Sequence, residues 1–222
     1  MENKKILIIF MLFSLMFGIK IVNAASGPVY VYYHTDSVFY SRKPTYTYTK
    51  QHMESIGYSV EGRDNWDSSG LLYALDDAKI YVVHYHGEPG IQYTNNSDNG
   101  IAGQNANNTT LKNVSSMSSG STNQLKIAIL YGCNTGTIGY HGNLPGIIVG
   151  KGAQTALAWT TETPIKGVNE WNRMFFEKAK TDTILVSMQH ADYWLPSVRN
   201  ASEADIMKNY RNEAGNIYGY VY

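Results

Sequence analysis

Short apolar runs rich in β-branched and aromatic residues alternate along the chain with longer segments of helical spacing. Val29 to Tyr33 predicts a first strand, closed by the polar His34-Thr35-Asp36. Thr45 to Ile56 predicts a helix with Gly57 as its stop, and Tyr58 to Val60 begins a short second strand. Asp67 or Ser68 caps the next helix, whose Leu71, Leu72 and Leu75 recur at helical spacing through Ala78. Lys79 to Tyr85 reads as a central strand that runs into His86-Gly87. Leu125 to Leu130 is a similar strand leading into Tyr131-Gly132-Cys133-Asn134-Thr135-Gly136. A helix opens at Leu144 with Pro145 in its first turn, where the missing N–H does no harm. Gln154 to Thr160 is the next strand. Val168 to Lys180 is an amphipathic helix bearing Trp171, Met174, Phe175 and Phe176, and Thr183 to Leu195 is another, stopped at Pro196. The tail from Ala201 ends in a Tyr-rich segment that adds an edge strand. Regular alternation of this kind argues for an α/β fold with a mainly parallel central sheet flanked by helices.

One stretch breaks the rhythm. Residues 88–124 are rich in Asn, Ser, Thr and Gly and read as a long surface excursion, with a short hairpin near Ile91 to Tyr93 and a helix near Thr110 to Met117.

Lys4 and Lys5, the apolar run Ile6 to Ile19 and the small residues Val22 and Ala24 have the layout of a secretory signal peptide, residues 1–24. The run is shorter than the roughly 20 residues that cross a bilayer. The expectation is therefore an exported chain, extracellular or periplasmic, with no membrane anchor after cleavage and one domain over residues 25–222. Cleavage would take Lys4, Lys5, Lys20 and Glu2, leaving a net charge near −2 from an overall balance of zero. That balance offers no basic footprint for nucleic acid and no attraction to anionic lipid. Export permits disulfides, yet there is a single cysteine, Cys133, so no bridge within the chain can form. It is buried filler, an intermolecular link, or chemistry.

Its surroundings favour chemistry. His86 and Cys133 each stand at the end of an apolar strand and just before a turn. In a parallel sheet the carboxyl ends of neighbouring strands lie side by side, and the crevice outside them is where ligands bind. Imidazole beside thiol lowers the thiol pKa and later supplies a proton to the leaving amine. Gly87 is expected to take an unusual dihedral that turns its N–H into the crevice, where with the Cys133 N–H it forms an oxyanion hole. Gly132 and Gly136 are expected to let the chain turn sharply around the nucleophile.

The strings Val82-Val83-His84-Tyr85-His86-Gly87 and Ile127-Ala128-Ile129-Leu130-Tyr131-Gly132-Cys133-Asn134-Thr135-Gly136 resemble the His-Gly and Cys blocks of the caspase-like cysteine peptidases. That group includes caspases, gingipains, clostripain, separases and the bacterial CHAT domains. The order His before Cys, 47 residues apart, separates the chain from papain-like enzymes. Gly152 to Trp159 and the helices around Trp171 and Met188 resemble the downstream half of a CHAT domain, so the likeness covers roughly residues 28 to 195. It implies a three-layer sandwich, a peptide or protein substrate, a Cys133–His86 dyad that needs no cofactor, and oxyanion donors at Gly87 and Cys133.

The chain departs from the caspase signature in having Tyr131-Gly132 before the cysteine. Relatives that read a basic residue place acidic groups near the first strand, before the cysteine, or after the strand that follows it. Asp36 and Glu162 fall in two of these regions, so Arg or Lys before the scissile bond is the expected specificity, with Tyr131 and Trp159 as further candidate pocket residues. His84 lies on the same side of its strand as His86, but the glycine after His86 marks His86 as the base. The remaining histidines lack metal-ligand spacing, and no metal is expected. Two rivals stand: an inactive CHAT-like module that binds peptide or protein, and an α/β hydrolase or transferase in which Cys133 is structural and far from His86.

Overall fold

A computed structural model describes residues 27–35, 41–64, 66–94, 99–106 and 108–222. Asp36 and the leader, residues 1–24, lie outside the described residues.

The chain builds β1 (Pro28–Tyr33), α1 (Lys43–Glu54), β2 (Ser59–Asp64), α2 (Ser68–Asp77) and β3 (Ile80–His84), and then β4 (Gly87–Glu88), β5 (Ile91–Tyr93), β6 (Gly100–Ala102) and β7 (Leu111–Asn113). After these come β8 (Ile127–Tyr131), α3 (Leu144–Gly150), β9 (Thr155–Trp159), α4 (Ile165–Ala179), α5 (Ile184–Trp194), α6 (Ala201–Asn209) and β10 (Arg211–Gly215). Six strands form one sheet in the order β10-β9-β8-β3-β1-β2, parallel except for β10, which pairs antiparallel with β9. The strand-and-helix alternation read from the sequence therefore yields the mainly parallel, helix-flanked sheet it implied.

Every residue of β3, β8 and β9 is buried, as strands covered on both faces must be. Their side chains divide by alternation. Val29, Val31, Ile80, Val82, Ile127, Ile129, Tyr131, Leu157 and Trp159 face a core shared with Met53 of α1, Trp171 and Phe175 of α4, Met188 of α5 and Met207 of α6. Tyr30, Tyr32, Tyr81, Val83, Ala128, Leu130, Ala156 and Ala158 face the other layer, with Leu71 and Leu75 of α2 and Leu144 and Ile148 of α3. This is a three-layer α/β sandwich.

Capping follows local chemistry. The Asp67 side chain accepts from the Gly70 N–H, Thr183 from Val186 and Asn200 from Glu203. Gly57, at φ 99°, ends the run after α1 in the left-handed region.

Three expectations are corrected. Residues 88–124 are not a surface excursion alone: β4 to β7 form a second, four-stranded sheet, and Ile101 and Val114 join the core of the α2–α3 layer. The helix expected near Thr110 to Met117 is β7 followed by one 3-10 turn, Val114–Ser116. The edge strand is not the Tyr-rich end but Arg211–Gly215, after an unforeseen helix α6. Arg211 anchors this polar strand by pairing with Asp192 at 3.1 Å and lying over the Trp171 ring.

Candidate active site

Reading the six-stranded order from the other edge gives β2-β1-β3-β8-β9-β10, so the chain moves to one side of β1 and returns to the other. The crevice at the carboxyl ends of β1 and β3 is thus a topological switch point, where open α/β sheets bind ligands. His86 leaves β3 there, and Cys133 leaves the neighbouring β8.

Strand pairing brings the two together. β3 and β8 are parallel neighbours with His84 opposite Tyr131, and His86 and Cys133 follow that pair by two residues each. Contact between the two segments is direct, because a Cβ built on Gly87 would lie 2.8 Å from the Cys133 carbonyl oxygen and closer still to the Thr135 methyl. His86 is exposed and Cys133 half-buried, so both are open to solvent.

The glycines act through size and not through dihedral freedom. Gly87, Gly132 and Gly136 are absent from the positive-φ residues, and the left-handed position in the nucleophile loop belongs to Asn134, at φ 59°. What Gly87 and Gly132 permit is approach: a Cβ on Gly132 would meet Gln92 Oε1 at 2.9 Å. The loop is pinned from beside and below. Asn134 donates its N–H to the Thr161 carbonyl (3.1 Å), Gly136 donates to Trp159 (2.8 Å), and Thr135 Oγ1 is bonded to the carbonyls of Leu130 and Gly132.

Beyond His86 the chain makes a tight hairpin. Pro89-Gly90, with Gly90 at φ 75°, closes β4 onto β5 in the manner of a type II turn. Tyr93 donates to the His86 carbonyl at 3.0 Å, which makes residues 86 and 93 a hydrogen-bonded pair. Antiparallel pairs alternate, so Gly87 opposite Gln92 is a non-bonded pair and the Gly87 N–H stays outside the β4–β5 ladder.

A buried polar layer lies under both strand ends. His84 Nδ1 and Thr45 Oγ1 are 2.7 Å apart, and Thr45 donates its only hydroxyl proton to Asn169 Oδ1 at 3.0 Å. Thr45 must then accept from His84, which fixes the Nδ1–H tautomer. Burial, with Arg42 and His86 nearby, holds the His84 pKa well below the usual histidine value, so this ring stays neutral. On the neighbouring strand the Tyr131 hydroxyl donates to Asn172 Oδ1 (3.2 Å), while Asn172 Nδ2 donates to the Thr45 carbonyl and Thr49 Oγ1. The residues that immediately support His86 and Cys133 are thus tied to one pair of helices, α1 and α4.

Of the candidate pocket residues, Tyr131 and Trp159 have no exposed surface: their rings pack 4.9 Å apart, and Trp159 Nε1 donates to the Met207 carbonyl. They are core residues under the crevice. Glu162 is exposed and directly follows Thr161, whose carbonyl holds the Asn134 amide. Gln92 was not foreseen. It is fully buried; Nε2 donates to the carbonyls of His86 and Tyr93, both at 3.0 Å, and Oε1 has no partner among the described residues. Only its pairing opposite Gly87 reveals it, and no pattern in the sequence announces that pairing.

No protein-family model matches the chain, and no curated protein matches it by sequence. Solved structures do match it. The Arg-specific cysteine proteinase gingipain R superposes with a TM-score of 0.60 at 12% identity, over 87% of this chain and 47% of its own. Separase from the Saccharomyces cerevisiae separase–securin complex gives 0.54 at 12% identity, over 91% of this chain and 13% of its own. The fold is that of the caspase-like cysteine peptidases. This chain spans about half the length of gingipain R and a small part of separase, so the likeness is to a part of each.

Proposed function

We propose that the protein is a cysteine endopeptidase in which Cys133 is the nucleophile and His86 the general acid and base. The observation that carries this reading is the β3–β8 register, which sets His86 and Cys133 equally far past a paired couple at the carboxyl ends of two neighbouring strands, beside the switch point. The Cys133 thiolate attacks the scissile carbonyl, forming an S–C bond, and the carbonyl oxygen takes the negative charge. The N–H groups of Gly87 and Cys133 hold that oxyanion; in enzymes of other folds, losing one such donor costs about 3 to 4 kcal/mol. Collapse breaks the C–N bond and His86 supplies a proton to the departing amine, leaving an acyl-enzyme. Water, deprotonated by His86, then releases the acid and restores the thiolate.

Specificity for Arg or Lys before the scissile bond is supported by the exposed carboxylate of Glu162 beside the nucleophile loop. Tyr131 and Trp159 shape the crevice floor from within the core. Hydrolysis of peptides ending in Arg, Lys, Asp or Asn before the cleaved bond tests it: Arg or Lys should lead, and a preference for Asp would refute the basic pocket.

Export through cleavage after Ala24 belongs to the same reading, and among the described residues no helix is long and apolar enough to cross a membrane. N-terminal sequencing of the protein recovered from outside the cell should begin at Ala25. For the whole proposal the test is labelling of Cys133 by a peptidyl alkylator, with loss of labelling and hydrolysis in Cys133→Ala. Peptide binding without hydrolysis by the unaltered protein would instead mark an inactive binding module.

A further inference from the structure

The proposed chemistry gives the crevice a direction. The departing amine must receive its proton from His86, so the substrate downstream of the cleaved bond runs along the His86 side, away from Glu162. β4 starts just past His86, and Glu88 stands two residues on, about 7 Å along an extended chain. A bound peptide in extended form advances at the same rate, so its second residue after the cleaved bond comes level with Glu88.

An open cavity of about 400 Å³ lies at that place. Its floor is the small apolar cluster of Ile91 and Leu111, and its walls include Tyr93, Tyr140 and His141. Tyr140 is 77% exposed, and its ring meets the His141 ring edge-on at 5.1 Å. The Glu88 carboxylate is exposed at the rim and has no ion-pair partner among the described residues, while His141 Nδ1 is buried without a hydrogen-bond partner. Two aromatic rings above an apolar floor, with one unopposed carboxylate, suit a long aliphatic stem ending in a cation.

Building on the peptidase reading, we propose that this cavity binds a Lys or Arg side chain two residues downstream of the scissile bond. Glu88 meets the charged end, and Tyr93 and Tyr140 flank the stem. Basic residues are then read on both sides of the cut, by Glu162 upstream and by Glu88 downstream. None of the cavity residues takes part in the proposed chemistry.

The test compares internally quenched peptides that differ only at that downstream position, with Lys, Leu or Glu, cleaved by the unaltered protein, Glu88→Gln and Glu88→Lys. A short peptidyl amide with a dye as leaving group, which cannot reach the cavity, serves as the control. The unaltered protein should cleave the Lys peptide at least about 10-fold faster than the Glu peptide, E88Q should flatten this, and E88K should reverse it. All three should cleave the control alike. Control cleavage with no Lys preference, or with a preference unchanged in E88K, would overturn the assignment while leaving the peptidase reading intact. Failure of all three on every substrate would overturn both.

Discussion

The large sheet and the small sheet meet at the crevice and are built on different principles. In the large one, β3, β8 and β9 are wholly buried, and two helical layers close over them. The small one has strands of two or three residues, an apolar cluster that among the described residues is Ile91, Ala102 and Leu111 with Tyr93 and Ala106 packed against it, and a fully buried glutamine in its second strand. Hydrophobic burial is strong but carries no direction, so it makes the large sheet a stable base that fixes strand register. Hydrogen bonds are weaker in net energy but directional, and an amide such as Gln92 can fix where the His86 carbonyl sits relative to Gly132. The base brings the two candidate catalytic residues to one place, and the small sheet sets the geometry between them.

Damage to the base should therefore appear as lost stability, and damage to the small sheet as lost reactivity. Ile129→Ala removes fully buried bulk from β8 and should cost about 2 to 5 kcal/mol in denaturant unfolding. The rate of Cys133 alkylation per folded molecule should hardly change. If that rate fell along with stability, the division between the two sheets would fail.

Gln92→Leu should behave in the opposite sense. It deletes the donor to two carbonyls while keeping an apolar side chain of similar bulk, at about 1 to 2 kcal/mol of stability. Hydrolysis should fall by about 10-fold or more through kcat, and full activity in the variant would show that the amide does not position His86. Gln92→Glu sharpens the point, since a carboxyl buried among carbonyls titrates high and donates only when protonated. Its activity should recover as the pH is lowered, a response that a purely structural role would not produce.

His84 supplies a pH test of the base. Its folded pKa is depressed by burial first, then by Arg42 and His86, so below the ordinary histidine value of 6.5 the unfolded chain binds a proton that the folded one refuses. Its contribution to stability is present above that value and lost as the pH falls toward the folded pKa. The slope is at most about 1.4 kcal/mol per pH unit. His84→Gln should flatten the acid limb of the stability curve, leaving the smaller share of His52, whose pKa burial also lowers. An unchanged acid limb would contradict a neutral, buried His84.

At Gly136 a Cβ would come within 2.9 Å of the Ala158 carbonyl on the far side of the loop from His86. Gly136→Ala should lower stability by about 1 to 3 kcal/mol by overpacking, with less change in thiol reactivity than Gly87→Ala, whose Cβ would press on the Cys133 carbonyl itself.

The same contrast explains what could be read from sequence. Strands such as Ile80–His84 and Ile127–Tyr131 are continuous apolar runs, and their burial on both faces is why they stand out. The His-Gly and Gly-Cys strings were visible because they end those runs. Strands such as Leu111–Asn113 show no period in so few residues, and β10 reads Arg-Asn-Glu-Ala-Gly, with no large apolar residue, while the Arg211 side chain is buried by its contacts to Asp192 and Trp171. α6 did leave a trace, Asn200 three residues before Glu203, the spacing of a capping pair. Tyr131 and Trp159 misled because strand-end aromatics look the same whether they face the crevice or the layer beneath; alternation places both toward α4. The glycines around Cys133 stand out in sequence as turn formers, but local sequence cannot show that a Cβ at these positions would come within about 3 Å of a neighbouring segment.

The central claim is that Cys133 and His86 act as one unit, and the rate of Cys133 alkylation by a peptidyl reagent, with and without the imidazole, tests it most directly. The unaltered protein should be alkylated at least about 10-fold faster than His86→Ala, which should also lose peptide hydrolysis without changing thermal stability. Equal alkylation rates in the two proteins, or hydrolysis that survives in His86→Ala, would contradict the account.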